Sequence, residues 1–152
     1  MNLEETQYQT TEYQGIGIRL AAQVIDSIPF FVIFWIVGLS IASIYGGLTP
    51  TGFELTGTPA LLAGGITLII WLAYFTILEG TIGQTAGKMV CKIKVVKEDE
   101  TSCNLYTSFI RNILRPVDAI GGYLVGVILI ARSEKKQRLG DRVAKTIVVK
   151  KK

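Results

Sequence analysis

The chain has 152 residues, of which 49% are apolar and 18% are charged, and its formal net charge is +4. This apolar content is too high for an ordinary soluble domain and lies mostly in two long stretches, which indicates an integral membrane protein. The sequence contains no histidine, so the usual zinc ligands and general bases are excluded, and no cofactor is predicted. A positive net charge can favour nucleic acid, but its distribution here fits a membrane topology instead, and no nucleic-acid partner is expected.

The N-terminal region differs in composition from everything that follows it. Residues 1–14 form a polar tail with three acidic residues and no basic one, and residues 15–150 form a single membrane domain. The tail has neither the basic region nor the apolar region of a signal peptide. Membrane insertion is therefore expected to depend on the first apolar stretch itself.

Two apolar stretches, Ile16 to Tyr45 and Ala60 to Leu78, are each long enough to span a bilayer as a helix. A hydrocarbon core of about 30 Å requires about 20 residues at a rise of 1.5 Å. Pro29 lies inside the first stretch and removes a helical hydrogen bond, so a bend is predicted near Asp26. Residues 46–59, rich in glycine and proline, form a short loop between the two spans.

A β element is predicted after the second span. Lys88 to Lys97 alternates apolar and lysine residues, which is the pattern of a half-buried strand with its lysines facing solvent. Thr146 to Val149 is a second β-branched run and is expected to pair with the first. Cys91 and Cys103 are interpreted as reduced thiols, because both lie in a region assigned to the cytoplasm.

The apolar region 104–132 is expected to form a broken third helical segment. Pro116, Gly121 and Gly122 interrupt it, which favours two short helices, about Leu105 to Arg115 and Tyr123 to Ala131, that enter the membrane and return. The alternative is one short, tilted span, which would place the C-terminal tail outside. The predicted fold is an all-α membrane protein with two transmembrane helices, this broken segment and a small cytoplasmic two-stranded β element.

Basic residues predict the orientation. Residues 132–152 carry nine bases and two acids, and residues 80–107 carry four lysines, whereas the loop 46–59 carries only Glu54. Because basic residues collect on the cytoplasmic side, both termini are predicted to be cytoplasmic in a multi-pass protein of the cell membrane. The basic tail enforces this topology, and it could also bind anionic lipid headgroups.

Four motifs together resemble those of the RDD family of membrane proteins, which is named for one arginine and two aspartates. They are Arg19 to Asp26, Gly83 to Lys88, Ser108 to Arg115 and Gln137 to Ala144, in this order. Lys145 replaces the glycine expected after the last motif. The resemblance implies transport of a ligand or ion, including sodium/proton exchange, and it leaves Asp118 or Asp141 as the second aspartate.

An aspartate inside an apolar helix must find a cation, a hydrogen-bond donor or a proton. Arg19 and Asp26 lie two helical turns apart, too far for a direct pair unless the arginine reaches inward. One hypothesis is a cation or proton site formed by Asp26, Ser27, the carbonyl freed by Pro29 and Asp118. The other is a static network that fixes helix packing, made of Arg19, Asp26, Arg111, Arg115 and Asp118.

Two functions follow from these alternatives. The first is a transporter of a small ligand or cation, with intramembrane aspartates binding sodium or a proton. Two spans are few for transport, so a homo-oligomer is expected, and Gly38 and Ala42 would suit close contact within the chain or between copies. The second is a membrane adaptor or assembly partner that does not transport. An enzyme is not predicted, because no nucleophile, base and orienting group share a recognisable spacing.

Overall fold

Two long apolar helices dominate the computed structural model, which describes residues 12–118 and 124–151. Helix α1 spans Ile16–Tyr45 and helix α2 spans Gly57–Thr81. Both are long and apolar enough to cross a membrane. Helix α1 has the predicted bounds and continues through Pro29. The prediction of two long apolar helices is confirmed.

The two long helices expose apolar side chains and bury polar ones, the reverse of helices in a soluble protein. Only 17% of the most apolar window of each is buried, and exposed positions such as Val24, Ile44 and Leu61 carry large apolar side chains. The buried positions include polar residues, among them Asp26 and Glu79. A core helix of a soluble protein would bury its apolar side chains, so these surfaces are suited to lipid.

The connection between the long helices contains a small hairpin that the sequence did not predict. Strands β1, Leu48–Thr49, and β2, Gly52–Phe53, pair antiparallel. The Phe53 ring packs 5.4 Å from Trp35 and lies over Gly38, where an added Cβ would come within 2.0 Å of the ring. Gly38 is therefore used for packing within the chain rather than left available for a second copy.

A short helix and a strand follow α2. Helix α3 spans Ala86–Val90, and Thr85 caps it by accepting a hydrogen bond from the backbone N–H of Lys88. The prediction of a strand beginning at Lys88 with that lysine in solvent is thus wrong, since Lys88 is helical and buried. The strand, β3, begins only at Ile93 and ends at Lys97.

The broken helical segment consists of α4, Leu105–Ile113, α5, Arg115–Asp118, and α6, Leu124–Ala131. The predicted interruption at Gly121 and Gly122 lies outside the described residues. Helix α4 buries its polar side chains Ser108, Arg111 and Asn112 and exposes apolar ones, including Tyr106 and Phe109. A polar inner face with an apolar outer face is again the arrangement expected next to lipid.

The chain ends with helix α7, Leu139–Val143, and strand β4, Thr146–Lys150. Strand β4 pairs antiparallel with β3, from Ile93 opposite Lys150 to Lys97 opposite Thr146. The predicted two-stranded element is confirmed. A small apolar core containing Ala22, Ile93, Val95, Cys103 and Val148 attaches this sheet to α1.

Candidate functional site

Asp26 of α1 is buried and accepts three hydrogen bonds from outside its own helix. The donors are the Tyr74 hydroxyl at 3.0 Å, the Thr85 hydroxyl at 2.6 Å and the backbone N–H of Gly87 at 2.8 Å. Within the described residues, all three donors are uncharged. These hydrogen bonds supply here what water would supply at the surface.

Local geometry explains why α3 reaches Asp26. Thr85 is the N-cap of α3, so its side chain both caps that helix and donates to Asp26. The next contact requires a glycine, because a Cβ on Gly87 would lie 2.0 Å from the carbonyl oxygen of Ala22. The absence of a side chain thus lets the α3 backbone approach α1 closely enough for the N–H of Gly87 to reach the carboxylate.

A narrow cleft of about 10 Å³ lies beside Asp26. It is lined mainly by apolar side chains of the two long helices: Pro29, Phe30, Ile33, Trp71, Tyr74 and Phe75. Pro29 has no N–H, so the carbonyl of Ile25 loses its helical donor at this level. The hydroxyl of Ser27, by contrast, donates to the backbone carbonyl of Val24 at 2.6 Å. The role of Ser27 as an ion ligand stays a prediction.

A second group of polar side chains, here called the charge cluster, lies next to this cleft. Its members come from both long helices and from the short helices α3, α4, α5 and α7 with the N-cap of α7: Arg19, Glu79, Lys88, Arg111, Arg115, Arg138 and Asp141. Two carboxylates are thus surrounded by five basic side chains. The cluster connects α1, α2, α3, α4, α5 and α7.

Glu79 is the first carboxylate of the charge cluster and is fully buried near the end of α2. Lys88 contacts its carboxylate directly, and the Nε of Arg111 lies 3.3 Å away. The side-chain amide of Asn112 donates to Glu79 at 3.0 Å, and Arg115 lies at 3.6 Å. Burial lowers the pKa of Lys88 to about 7, and the positive charges of Arg111 and Arg115 act in the same direction against the opposing effect of Glu79.

Asp141 is the second carboxylate and lies in the first turn of α7. Arg19 approaches it at 2.7 Å, Arg111 at 3.2 Å and Arg138 at 3.4 Å. Asp141 also accepts from the backbone N–H of Arg138, which caps α7. Burial alone would raise the pKa of this carboxyl, but Arg111, Arg138 and Arg19 outweigh burial and hold the pKa well below its usual range.

Arg115 joins the charge cluster to the cleft beside Asp26. Its guanidinium lies 3.6 Å from the centroid of the Phe75 ring and 5.4 Å from that of Trp71. Both rings line the cleft. A cation over an aromatic face is attracted by the negative face of the ring, so Arg115 also holds the two cleft-lining rings in place.

Comparison with known proteins identifies the family. The sequence profile of the RDD family matches residues 13–145. The chain belongs to the RDD family. Two relatives of Bacillus subtilis strain 168 match over most of their length. "Uncharacterized protein YckC" is 29% identical over 88% of this chain and 82% of its own length. "Uncharacterized membrane protein YteJ" is 28% identical over 96% of this chain and 86% of its own length.

A further relative of this RDD protein is longer. The "Proline-rich antigen homolog" of Mycobacterium tuberculosis is 32% identical over 59% of this chain, which corresponds to 36% of its own length. No solved structure matches the chain. Family membership and the two apolar helices together support an integral membrane protein.

The RDD chain brings together some of the residues selected from the sequence and separates others. Arg19, Arg111, Arg115 and Asp141 meet in the charge cluster. In the static-network hypothesis Arg111 and Arg115 were grouped with Asp26; in the structure both contact Glu79, and Asp26 accepts hydrogen bonds from uncharged groups. Asp118 is the last residue of α5, and its side chain lies outside the part of the chain that the structure describes.

Sequence reasoning missed Glu79 and Lys88 as members of this RDD site. The available signal was Glu79 itself, the first charged residue after the uncharged run Ala60 to Leu78. Among the described residues, no group of three possible metal ligands occurs. Cys91 and Cys103 are free thiols. The contacts described for the site are ion pairs and hydrogen bonds between oxygen and nitrogen atoms.

Proposed function

We propose that this RDD protein is a multi-pass membrane transporter of a small ligand or cation in which Asp26 takes up and releases a proton or a sodium ion. The observation that carries the proposal is the contrast between Asp26 and the two carboxylates of the charge cluster. Glu79 and Asp141 are contacted by arginine or lysine, whereas the three donors to Asp26 are two hydroxyls and one backbone N–H.

Uncharged donors allow a carboxylate to change its state. A hydroxyl both donates and accepts, so the hydroxyls of Tyr74 and Thr85 can bond to an ionised or to a protonated Asp26. An arginine only donates and keeps its charge, so protonation of Glu79 or Asp141 would leave buried cations without their counter-ions. Proton or sodium exchange is therefore expected at Asp26 and not at the two carboxylates of the charge cluster.

The surroundings of Asp26 fit a cation site in a transporter. The cleft provides space at the level of the carboxylate, and Pro29, which lines it, removes the N–H that would otherwise bond to the carbonyl of Ile25. Interrupted helical hydrogen bonding supplies cation ligands in many transporters. In the proposed mechanism a cation or proton neutralises Asp26, and its release restores the three hydrogen bonds seen in the structure.

The proposed topology follows the distribution of basic residues. Helices α1 and α2 span the membrane, the loop 46–59 lies outside, and both termini are cytoplasmic. The β3–β4 sheet and the basic residues 132–151 then lie on the cytoplasmic side. Because two spans offer little room for alternating access, the proposed transporter is a homo-oligomer. Gly64 and Gly65 meet open space and suit close helix contact, whereas Gly38 is already covered by Phe53.

Reconstitution into liposomes tests the proposal. With a pH-sensitive dye inside, the protein should produce a sodium-dependent proton flux that Asp26→Asn reduces to the level of empty liposomes. The amide oxygen of asparagine can still accept the bonds from Tyr74 and Gly87, which share one carboxylate oxygen, and its amide N–H can donate to the hydroxyl oxygen of Thr85, so the fold should survive. Asp99→Asn is the matched control, since Asp99 is exposed in a turn and bonds only to Thr101 within the described residues. Unchanged flux in a folded Asp26→Asn variant would rule out Asp26 as the exchanging group.

A second candidate function is a membrane adaptor or assembly partner. It is favoured by the Mycobacterium tuberculosis relative, in which the matching region is about a third of a longer chain. In this function the charge cluster simply fixes the helices, and the exposed side of β3 recruits another protein. A specific complex should then be retained in Asp26→Asn and lost when Lys92 and Lys94 are changed to glutamate. Lys88 should be left intact in this test, because it contacts Glu79.

A further inference from the structure

A second cleft, separate from the one beside Asp26, lies between the start of α1 and helix α6. Its volume is about 50 Å³. The cleft has apolar walls and two charged side chains. The walls are formed by Ile16 and Leu20 of α1 and by Val127 and Ile130 of α6, and the charges belong to Arg19 and Arg138. A ligand that matches this lining has both an apolar part and a negatively charged part.

The position of this cleft along α1 corresponds to the headgroup level of a bilayer. Helix α1 has 30 residues, which is about 45 Å at 1.5 Å per residue, whereas the hydrocarbon core measures about 30 Å. The first turn, which carries Arg19, therefore extends into the headgroup region when the helix spans. Leu20, also in the lining, is 43% exposed on the outer surface of the helix. A lipid molecule can thus reach the cleft from the side.

Arg19 is held in place and still has donors to offer. Its Nε donates to the carbonyl of Gln14 at 3.0 Å, one terminal nitrogen donates to Asp141 at 2.7 Å, and the other donates to the carbonyl of Lys136 at 2.7 Å. A guanidinium carries five N–H groups, so these three bonds leave two. The guanidinium is thus fixed in orientation before a ligand arrives, which reduces the entropy that binding would cost.

The local charge balance favours an anion. Arg19 and Arg138 both line the cleft, and both pair with Asp141, which lies outside the lining. Among the described residues, the lining therefore contains two arginines and no carboxylate. Arginine binds phosphate well, because its planar N–H groups match the geometry of the phosphate oxygens.

We propose that this cleft binds the headgroup phosphate of one anionic phospholipid, with Arg19 and Arg138 contacting the phosphate and an acyl chain lying along Leu20 and Val127. The apolar walls favour a lipid over a soluble phosphate, which would leave them without a partner. Lipid binding at this site requires membrane insertion but not transport. Its test is therefore independent of the role of Asp26.

Native mass spectrometry of the full chain in detergent tests the site, with phosphatidylglycerol and phosphatidylcholine as probes. The expected result is one retained phosphatidylglycerol per chain and little phosphatidylcholine. Arg138→Gln should weaken phosphatidylglycerol binding about fivefold, the effect of one charge near a membrane surface. Val127→Phe should also reduce binding by filling the cleft while both arginines remain. Lys135→Gln is the control, because Lys135 is exposed and pairs with Glu98.

The remaining outcomes of this experiment overturn the proposal. Equal retention of both lipids would mean that the charge of the headgroup is not recognised. Unchanged binding in Val127→Phe would place the lipid elsewhere on the basic surface. Displacement of phosphatidylglycerol by millimolar inorganic phosphate would identify a soluble anion as the ligand. Because Val127→Phe leaves the charge cluster intact, its result does not depend on whether Arg138→Gln folds.

Discussion

Arg19 and Asp141 are 122 positions apart in the sequence, and their guanidinium and carboxylate groups meet at 2.7 Å. The contact joins the first turn of α1 to the first turn of α7 and thereby connects the two ends of the described chain. Asp141 has no exposed side-chain surface, and only 11% of the Arg19 side chain is exposed. Together with the buried Arg111, which also contacts Asp141, this pair fixes how α1, α4 and α7 pack against one another.

Asp141→Asn should lower the free energy of unfolding by about 3 kcal/mol or more. Removing one partner of a buried ion pair leaves the other charge buried without compensation, which costs about 3–5 kcal/mol. Here three arginines would lose the same counter-ion. Thermal unfolding in detergent measures the effect. Asp99→Asn, in an exposed turn, should change stability by less than about 0.5 kcal/mol. Equal stability of the two variants would show that the cluster does not hold the helices together.

Glu79 and Lys88 should be energetically coupled. Glu79→Gln and Lys88→Met should each destabilise the protein, because each leaves a buried charge without its nearest partner. The double variant should lose less than the sum of the two, by about 1 kcal/mol or more, since groups in direct contact are not additive. A double-mutant cycle from chemical unfolding gives this number. Strict additivity would mean that the contact contributes nothing.

Gly87→Ala should disrupt the approach of α3 to α1. The new Cβ would lie 2.0 Å from the carbonyl oxygen of Ala22 and 3.0 Å from the carboxyl carbon of Asp26. Relief of this overlap requires a backbone shift that weakens the bonds to Asp26, with an expected loss of about 1–3 kcal/mol. Gly17→Ala is the matched control in α1, where an added Cβ meets nothing within 4 Å. It should be neutral or stabilising by up to about 1 kcal/mol, as for alanine replacing a helical glycine. The reverse order of stability would refute the close approach.

The stability of the protein should rise between pH 7 and pH 9 through Lys88. Burial lowers the pKa of its ammonium group to about 7 from an ordinary value of 10.5. Above pH 7 the unfolded chain therefore holds a proton that the folded chain has released, so unfolding takes up a proton and becomes less favourable as the pH rises. Lys88→Met should remove this contribution.

The measurement for Lys88 is the difference in unfolding free energy between the natural chain and Lys88→Met at pH 7 and at pH 9. An upper limit of pH 9 restricts the influence of Cys103, since burial raises the pKa of that thiol. The difference should shift in favour of the natural chain at the higher pH. Parallel pH profiles would mean that Lys88 keeps its proton in the folded protein, bound to Glu79.

The sequence predicted the helices better than the contacts between them. Glycines mark both ends of the apolar run Ile16 to Tyr45, and α1 has these bounds. The β-branched run near the C-terminus likewise pairs with β3 as expected. The start of β3 was misplaced because the alternation from Lys88 onward suggested a strand, whereas the cap formed by Thr85 begins a helix there.

The partners of the charged residues could not be obtained from spacing. Positions seven apart on a helix share a face, which placed Arg19 and Asp26 two turns apart on one face, but spacing contains no information about a carboxylate 122 residues away. Arg111 and Arg115 were expected in a charge network, yet their contact with Glu79 depends on how α4 and α5 pack against α2. That packing is a tertiary property, fixed in part by Gly80, where a Cβ would come within 2.7 Å of Leu105.

The proposed function requires that Asp26 changes its protonation state while Glu79 and Asp141 do not. Infrared difference spectroscopy of the reconstituted protein, recorded on alternating sodium at constant pH, tests it most directly. Sodium binding should remove the carbonyl band of a protonated carboxylic acid, and Asp26→Asn should abolish this change while Asp99→Asn retains it. A sodium-dependent carboxyl band that persists in Asp26→Asn, or no such band in the natural chain, would contradict the account.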